Sequence, residues 1–295
     1  MMTSRRDFLA SAALLAAGLA VGPPLLAAPP KKYLGVQLYT VREAMEKDPA
    51  GTLARLASIG YNAVEGATYT GSQKFYGLTP SEFAALLKQN GLLMPSSHYR
   101  LGEEPTNGAP TLGTLLHGWD RAVDDAAAVG AKYMVCAYLA PAERGTLDHY
   151  KYVADQLNRA GERCQQAGLQ LCYHNHDFEF VPQAGQRPFD LLLATDEKLV
   201  QLELDLYWAT KAGQDPVALF RQHPGRFPLW HVKDMAKTPE RAFTEVGNGV
   251  IDFKKIFAQA KQAGLHYFFV EQDTTPGSPF DSLTQSLAYI KKNLV

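Results

Sequence analysis

Cysteine is scarce. Three occur in 295 residues, Cys136, Cys164 and Cys172, and none belongs to a C-x-x-C motif. Three thiols cannot all pair, so a disulfide framework does not hold this protein together. Two of them sit in apolar strand-like runs, where a buried free thiol is the expected state. Clustered positive charge is missing as well: 29 Lys and Arg face 30 Asp and Glu, for a formal net charge of −1. Binding a nucleic-acid backbone needs concentrated Lys and Arg, so nucleic acid is excluded as the main partner. No glycine-rich phosphate turn follows the first strand-like run, "GVQLYTVRE". That lack speaks against a doubly wound dinucleotide-binding sheet. No Pro/Gly/Ser linker divides the chain beyond its N-terminal segment, and its 46% apolar residues are enough for one large core.

The N-terminal segment stands apart. Arg5 and Arg6 precede the uncharged run "SAALLAAGLAVGPPLLAA", the pattern of a bacterial twin-arginine export signal. Gly22, Pro23 and Pro24 break that run, which makes it a poor spanning helix of about 20 residues. We therefore expect a signal over residues 1–28, cleavage near Ala28, a periplasmic mature protein and no stable membrane insertion. A single domain over residues 33–295 should follow.

Within that domain one pattern recurs: an alanine-rich amphipathic segment, a glycine, then a short apolar run. "LARLASIG" leads to "YNAVEGA", "FAALLKQNG" to "LLMPSSH" and "AVDDAAAVG" to "AKYMVCAY". "AGERCQQAG" leads to "LQLCYHNH" and "IFAQAKQAG" to "LHYFFVEQD". The glycine suits the left-handed residue that ends a helix, and the run after it reads as a strand buried on both faces. With "YLGVQLYT", "LVQLELDLYW" and "PLWHVKD" the strand candidates number eight. Strict βα alternation of this kind predicts a closed (β/α)8 TIM barrel. The polar stretch "RLGEEPTNGAPTLG" reads as a long loop over its mouth.

Catalytic groups of such barrels lie at the C-terminal strand ends, so that register filters the polar residues. The first three strands end in Gln37 and Tyr39, Glu65, and His98, and the fourth offers only Cys136 and Tyr138. The fifth gives His174, His176 and Glu179, and the sixth Glu203 and Asp205. The seventh gives His231, Lys233 and Asp234, and the eighth Glu271 and Asp273. Glu179, Asp205, His231 and Glu271 thus supply one ligand group from each of four successive strands or the loops after them. Three carboxylates and an imidazole suit one divalent ion, Mn²⁺ or Mg²⁺ first and Zn²⁺ or Co²⁺ next. Which fifth-strand residue ligates stays open, because His174 and His176 compete with Glu179. Strand alternation sends both imidazoles inward and Asn175 to the other side, so both are candidates for proton transfer. Lys233 should point in beside His231, to meet an oxyanion or a substrate hydroxyl, or else to pair with Glu203 or Asp234. The glycine-rich "TEVGNGVID" loop has backbone N–H groups suited to an anion or hydroxyls. Gln37, Tyr39, Glu65, His98 and Trp208 are the candidate substrate contacts.

In order along the chain, "GVQLYTVRE", "GYNAVEGA", "YHNHDFEF", "LDLYWATKAG", "WHVKD", "VGNGVIDF" and "FFVEQD" resemble the xylose isomerase-like TIM barrels, the sugar phosphate isomerase/epimerase superfamily. The resemblance covers nearly the whole mature chain. It implies a divalent metal held by Asp205, His231 and Glu271. His174 stands where the sugar epimerases carry a glutamate, and Trp208 where many carry a histidine. Both departures are similar to the His-Asn-His branch of inosose dehydratase-like and 3-oxo-glycoside lyase proteins. The resemblance implies a metal-dependent sugar isomerase/epimerase working through an enediolate, with Glu271 and the histidines as acid/base groups. A lyase or dehydratase eliminating β to a keto group is the alternative. A periplasmic carbohydrate-binding barrel without turnover is the reading from another class. An apurinic endonuclease of the same fold would need more histidine ligands and a basic surface. The expected partner is a small sugar or keto-sugar; a homo-oligomer is left open.

Overall fold

A computed structural model describes residues 33–103 and 109–295, and the export signal expected over residues 1–28 lies outside the described residues. Eight parallel strands close into a barrel in sequence order. They are β1 (Gly35–Gln37), β2 (Ala63–Gly66), β3 (Leu93–Arg100), β4 (Tyr133–Tyr138), β5 (Gln170–His174), β6 (Val200–Asp205), β7 (Leu229–Val232) and β8 (Tyr267–Val270). Helices flank the barrel between them, and residues Tyr33–Val295 pack as one compact unit. All eight strand candidates form barrel strands. The connection between β5 and β6 is sparse, a short 3-10 turn and the six-residue helix Pro188–Leu193.

Local sequence signals set these boundaries. Helix Pro80–Gln89 opens on a Thr79–Glu82 capping box with proline at its first turn. The helix–glycine–strand pattern works as expected: Gly60, Gly91, Gly130, Gly168 and Gly264 take φ of 112, 66, 93, 73 and 81°. Each of them ends a helix in the left-handed region and turns the chain back towards the barrel. Helix Leu147–Gln166 buries Tyr150, Val153, Leu157, Ala160 and Cys164, a stripe at three- and four-residue spacing that packs on the barrel exterior.

Strand alternation divides the core in two. Outward residues such as Val64, Met134, Leu171, Leu202, Leu204, Trp230 and Val270 join the large core beneath the helices. Inward residues Tyr133, Val135, Cys172, Leu229 and Phe269 form a separate apolar plug inside the barrel. Gly35 makes room for it, since a Cβ there would lie 2.5 Å from the Phe269 ring. Above this plug, towards the C-terminal strand ends, the inward positions turn polar. All three cysteines are free and buried.

Candidate metal centre

Four strand ends converge above the plug. Register places Asp205 beside His231 and His174 beside Glu203, so the inward side chains at the ends of β5, β6 and β7 meet. His174 Nε2 lies 3.1 Å from His231 Nδ1 and 3.3 Å from Asp205 Oδ2. His231 Nδ1 is 2.7 Å from Glu271 Oε2 and 3.7 Å from Asp205 Oδ2. These four residues are buried, and their donor atoms all lie within 4.8 Å of one another. Four donors at about 2.0–2.1 Å from one ion would stand roughly 3.3 Å apart, close to the spacings found. Two imidazoles and two carboxylates converging on one point suit a divalent ion.

The fifth-strand contribution differs from the ligand set chosen on sequence. Glu179 is not part of this group. Its Oε1 accepts from the Tyr173 hydroxyl at 2.7 Å and its Oε2 from the His176 backbone N–H at 2.8 Å. The chain turns after His174 into a 3-10 helix, Phe178–Phe180, which carries Glu179 sideways beneath the loop. His174, the last residue of β5, stands in the group with Asp205, His231 and Glu271 instead. Asn175 points the other way, and its Oδ1 accepts from the Asp205 N–H at 3.0 Å. Asp205 is held further by the Trp208 N–H on Oδ1, which leaves Oδ2 to face the group.

Burial pushes the Glu179 carboxyl up to about 7, against the hydrogen bonds from Tyr173 and His176. An acid whose folded pKa is raised stabilises the fold most at low pH. That contribution is full below its unfolded value of about 4.3 and is lost as pH rises through 7. Glu179→Gln should therefore flatten the pH dependence of stability between pH 4.5 and 7. The difference in unfolding free energy between wild type and variant should change by about 3 kcal/mol across that window. Urea unfolding of both proteins at several pH values checks it; parallel curves would refute it.

Lys233 points inward as expected but pairs with neither Glu203 nor Asp234. Its Nζ lies 3.1 Å from Asp205, 2.7 Å from Glu271 and 2.9 Å from Asp273. Burial works against the ammonium, yet Asp205, Glu271 and Asp273 outweigh it and raise its pKa well above normal. Lys233 is a fixed cation beside the His174, Asp205, His231 and Glu271 group. The glycine-rich loop, in contrast, turns its glycine N–H groups onto the protein itself. Gly247 and Gly249 donate to Asp234 Oδ2, and Ile251 and Met235 to Oδ1. The protein's own carboxylate fills the cradle that the sequence suggested for an anion.

His176 flanks the group from the β5 side. Its ring stacks on Phe178 at 5.3 Å, meets Tyr138 edge-on, and Trp208 tilts over it at 5.5 Å. Its Nδ1 is buried without a protein partner. Burial, then His174 and Lys233, hold its pKa well below the ordinary value, so the imidazole is neutral at physiological pH. A cavity of about 680 Å³ opens above, lined by Tyr39, His98, His174, His176, Lys233 and Glu271 among others.

Of the substrate contacts chosen on sequence, Tyr39 and His98 line this cavity. Gln37 and Glu65 are fully buried in the floor, and Trp208 stands behind His176. The far wall, with Thr68, Thr70, Arg100, Thr114 and Tyr138, comes from the β2, β3 and β4 sides. These residues carry no motif and only the folded loops bring them together.

A family model described as "Xylose isomerase-like TIM barrel" matches residues 53–293. The chain belongs to that family. An inosose dehydratase of Geobacillus kaustophilus is 25% identical over 274 residues, covering 81% of this chain and 85% of the relative. One of Lacticaseibacillus casei is 26% identical over 195 residues, covering 55% of this chain. That match spans 65% of the relative's length, just under two thirds. Among solved structures, a sugar phosphate isomerase/epimerase of Parabacteroides distasonis superposes with a TM-score of 0.73 at 29% identity, covering 90% of this chain and 95% of that one. No helix among the described residues is long and apolar enough to cross a membrane.

Proposed function

We propose that this family member is a divalent-metal-dependent lyase that removes a proton α to the keto group of an oxidised sugar and expels the group on the β carbon. The observation that carries the reading is His174 at the end of β5. The two-carboxylate epimerase scheme needs a carboxylate there as its second acid/base, and this chain offers an imidazole that points into the ligand group. Glu179, the nearest carboxylate, is committed to Tyr173 and to the His176 backbone.

His174, Asp205, His231 and Glu271 would hold the ion, which when bound supplies Lewis-acid polarisation of the substrate carbonyl. The remaining steps belong to the chain's own side chains. Neutral His176, whose ring lines the cavity, takes the α proton; the C–H electrons form the new double bond, and the β C–O bond breaks. The imidazolium so formed can return its proton to the leaving oxygen. Lys233 contributes a permanent positive charge near the developing enolate oxygen. Inosose dehydratase relatives support elimination; a keto-inositol or a 3-oxo-glycoside has the required carbonyl and β-oxygen.

A second reading, isomerisation or epimerisation by reprotonation of the same enediolate, is favoured by the 29% identity to a sugar phosphate isomerase/epimerase. Heavy water separates the two. Metal-loaded protein incubated with keto-sugars, inososes and 3-oxo-glycosides should release the β-substituent or water and give an unsaturated ketone or its hydrate. Deuterium uptake at the α carbon with the carbon–oxygen skeleton intact would make isomerisation the reaction. Failure of added Mn²⁺, Co²⁺ or Zn²⁺ to bind would point to a non-catalytic carbohydrate-binding barrel.

A further inference from the structure

Beneath the metal group lies a second cluster built on the same pattern. Glu65 Oε2, His98 Nε2, Glu203 Oε2 and His231 Nε2 also fall within 4.8 Å of one another. Glu65 Oε2 is 2.6 Å from His231 Nε2 and 3.3 Å from His98 Nε2. Glu203 Oε2 is 3.0 Å from His98 Nε2 and 3.3 Å from His231 Nε2. These are again spacings of the order set by four donors around one ion, roughly 3.3 Å. The two clusters share His231, whose Nδ1 faces the upper group and Nε2 the lower.

Charge makes the lower cluster unusual. Glu65 and Glu203 are both fully buried, and a buried carboxylate needs a compensating cation. Lys233 is taken by Asp205, Glu271 and Asp273. The groups that face the two carboxylates are the imidazoles of His98 and His231. Gln37 donates to Glu65 Oε2 at 2.8 Å but brings no charge. Glu65 Oε1 and Glu203 Oε1, both buried, have no hydrogen-bond partner. Two buried carboxylates and two imidazoles thus converge at one point through Glu65 Oε2, Glu203 Oε2, His98 Nε2 and His231 Nε2. His98 lines the cavity, which gives an ion a way in.

We propose that this cluster is a second divalent-cation site, occupied by a zinc-type ion that Glu65, His98 and Glu203 ligate. His231 completes the set as an imidazolate bridging the two ions, and its Nε2 proton leaves to solvent as the lower ion binds. Two imidazole nitrogens and two carboxylate oxygens are a tetrahedral zinc donor set, and carboxylate–histidine contacts of this kind are otherwise the outer support of a single metal. The proposal rests on the upper group holding metal, as in the function proposed above.

The test is metal stoichiometry on the full chain loaded with excess Zn²⁺ and desalted, read by plasma mass spectrometry. Wild type should hold two ions; His98→Ala and Glu203→Gln should hold one each. A melting curve for each variant should stay cooperative. Cadmium-113 NMR of the wild-type protein, which needs no variant to fold, should show two resonances. One ion and one resonance in wild type would overturn the second site while leaving the upper one in place. Two ions retained in both variants would overturn it as well, by placing the second ion elsewhere. No bound ion at all would overturn both this inference and the metal-dependent function, which keeps the two failures apart.

Discussion

Glu271→Gln is expected to abolish tight metal binding and activity while the barrel stays folded. The carboxylate sits 2.7 Å from His231 Nδ1 and 2.7 Å from Lys233 Nζ. Burial works against its ionisation, but Lys233 and His231 outweigh it and hold its pKa well below the usual carboxylate value. The charge on Glu271 is therefore permanent across the physiological range. An amide of the same shape keeps the volume but forfeits an anionic ligand for the cation. Losing an outer partner of a metal ligand typically costs about 10–100-fold in affinity, so losing a ligand itself should exceed 100-fold. Lys233 keeps Asp205 and Asp273 as partners, so the variant does not strand a buried cation and should unfold cooperatively. Asp205→Asn should behave alike. Isothermal titration with Mn²⁺ or Zn²⁺ alongside a turnover assay checks both; full metal affinity in Glu271→Gln would remove this residue from the centre.

Three of the four upper-group residues were legible in the sequence because each sits at the end of an apolar run in a repeating helix–glycine–strand pattern. Asp205, His231 and Glu271 are inward residues of β6 and β7 and the first residue after β8. Strand alternation alone aims them at one point. The fifth position was harder. "YHNHDFEF" offers three candidates within six residues, and whether the chain continues as a strand or turns decides among them. It turns: the 3-10 helix at Phe178–Phe180 withdraws Glu179 from the mouth and buries it under Tyr173. No periodicity in so short a stretch announces that turn.

The floor of the site was legible as residues but not as a layer. Gln37, Glu65 and His98 stand out as polar groups in apolar strands, and substrate contact was the natural expectation for them. Register places Glu65 opposite Gln37, one step below the mouth, and parallel pairing across a closed barrel cannot be read from single strands. The same holds for the β2–β4 wall of the cavity, whose Thr68, Thr70 and Thr114 are ordinary loop residues until the loops fold. The glycine-rich loop failed for a different reason: its N–H groups are aimed as expected, but at Asp234, 13 and 15 residues earlier in the chain for Gly247 and Gly249.

His176→Ala should separate metal binding from chemistry. The ring contributes no donor atom to either metal-like cluster, so ion content should match wild type. Its position is set from three sides, by Phe178 stacked beneath, Tyr138 at its edge and the Glu179 carboxylate on its backbone N–H. That rigidity is what a general base needs to keep its ring at the cavity wall, towards a bound substrate. The competing bases are weaker candidates on charge: Lys233 stays protonated among three carboxylates, and Glu271 is bound to Lys233 and His231. Loss of a positioned general base typically costs about 10²–10⁴-fold, and the loss should fall on kcat with KM little changed, because stacking and hydroxyl contacts elsewhere in the cavity remain. Exchange of the substrate α-hydrogen into heavy water, followed by NMR in the metal-loaded variant, reads the proton step directly. Exchange at the wild-type rate would move the base to another residue and leave His176 as a wall of the cavity; exchange lost together with metal would make its role structural.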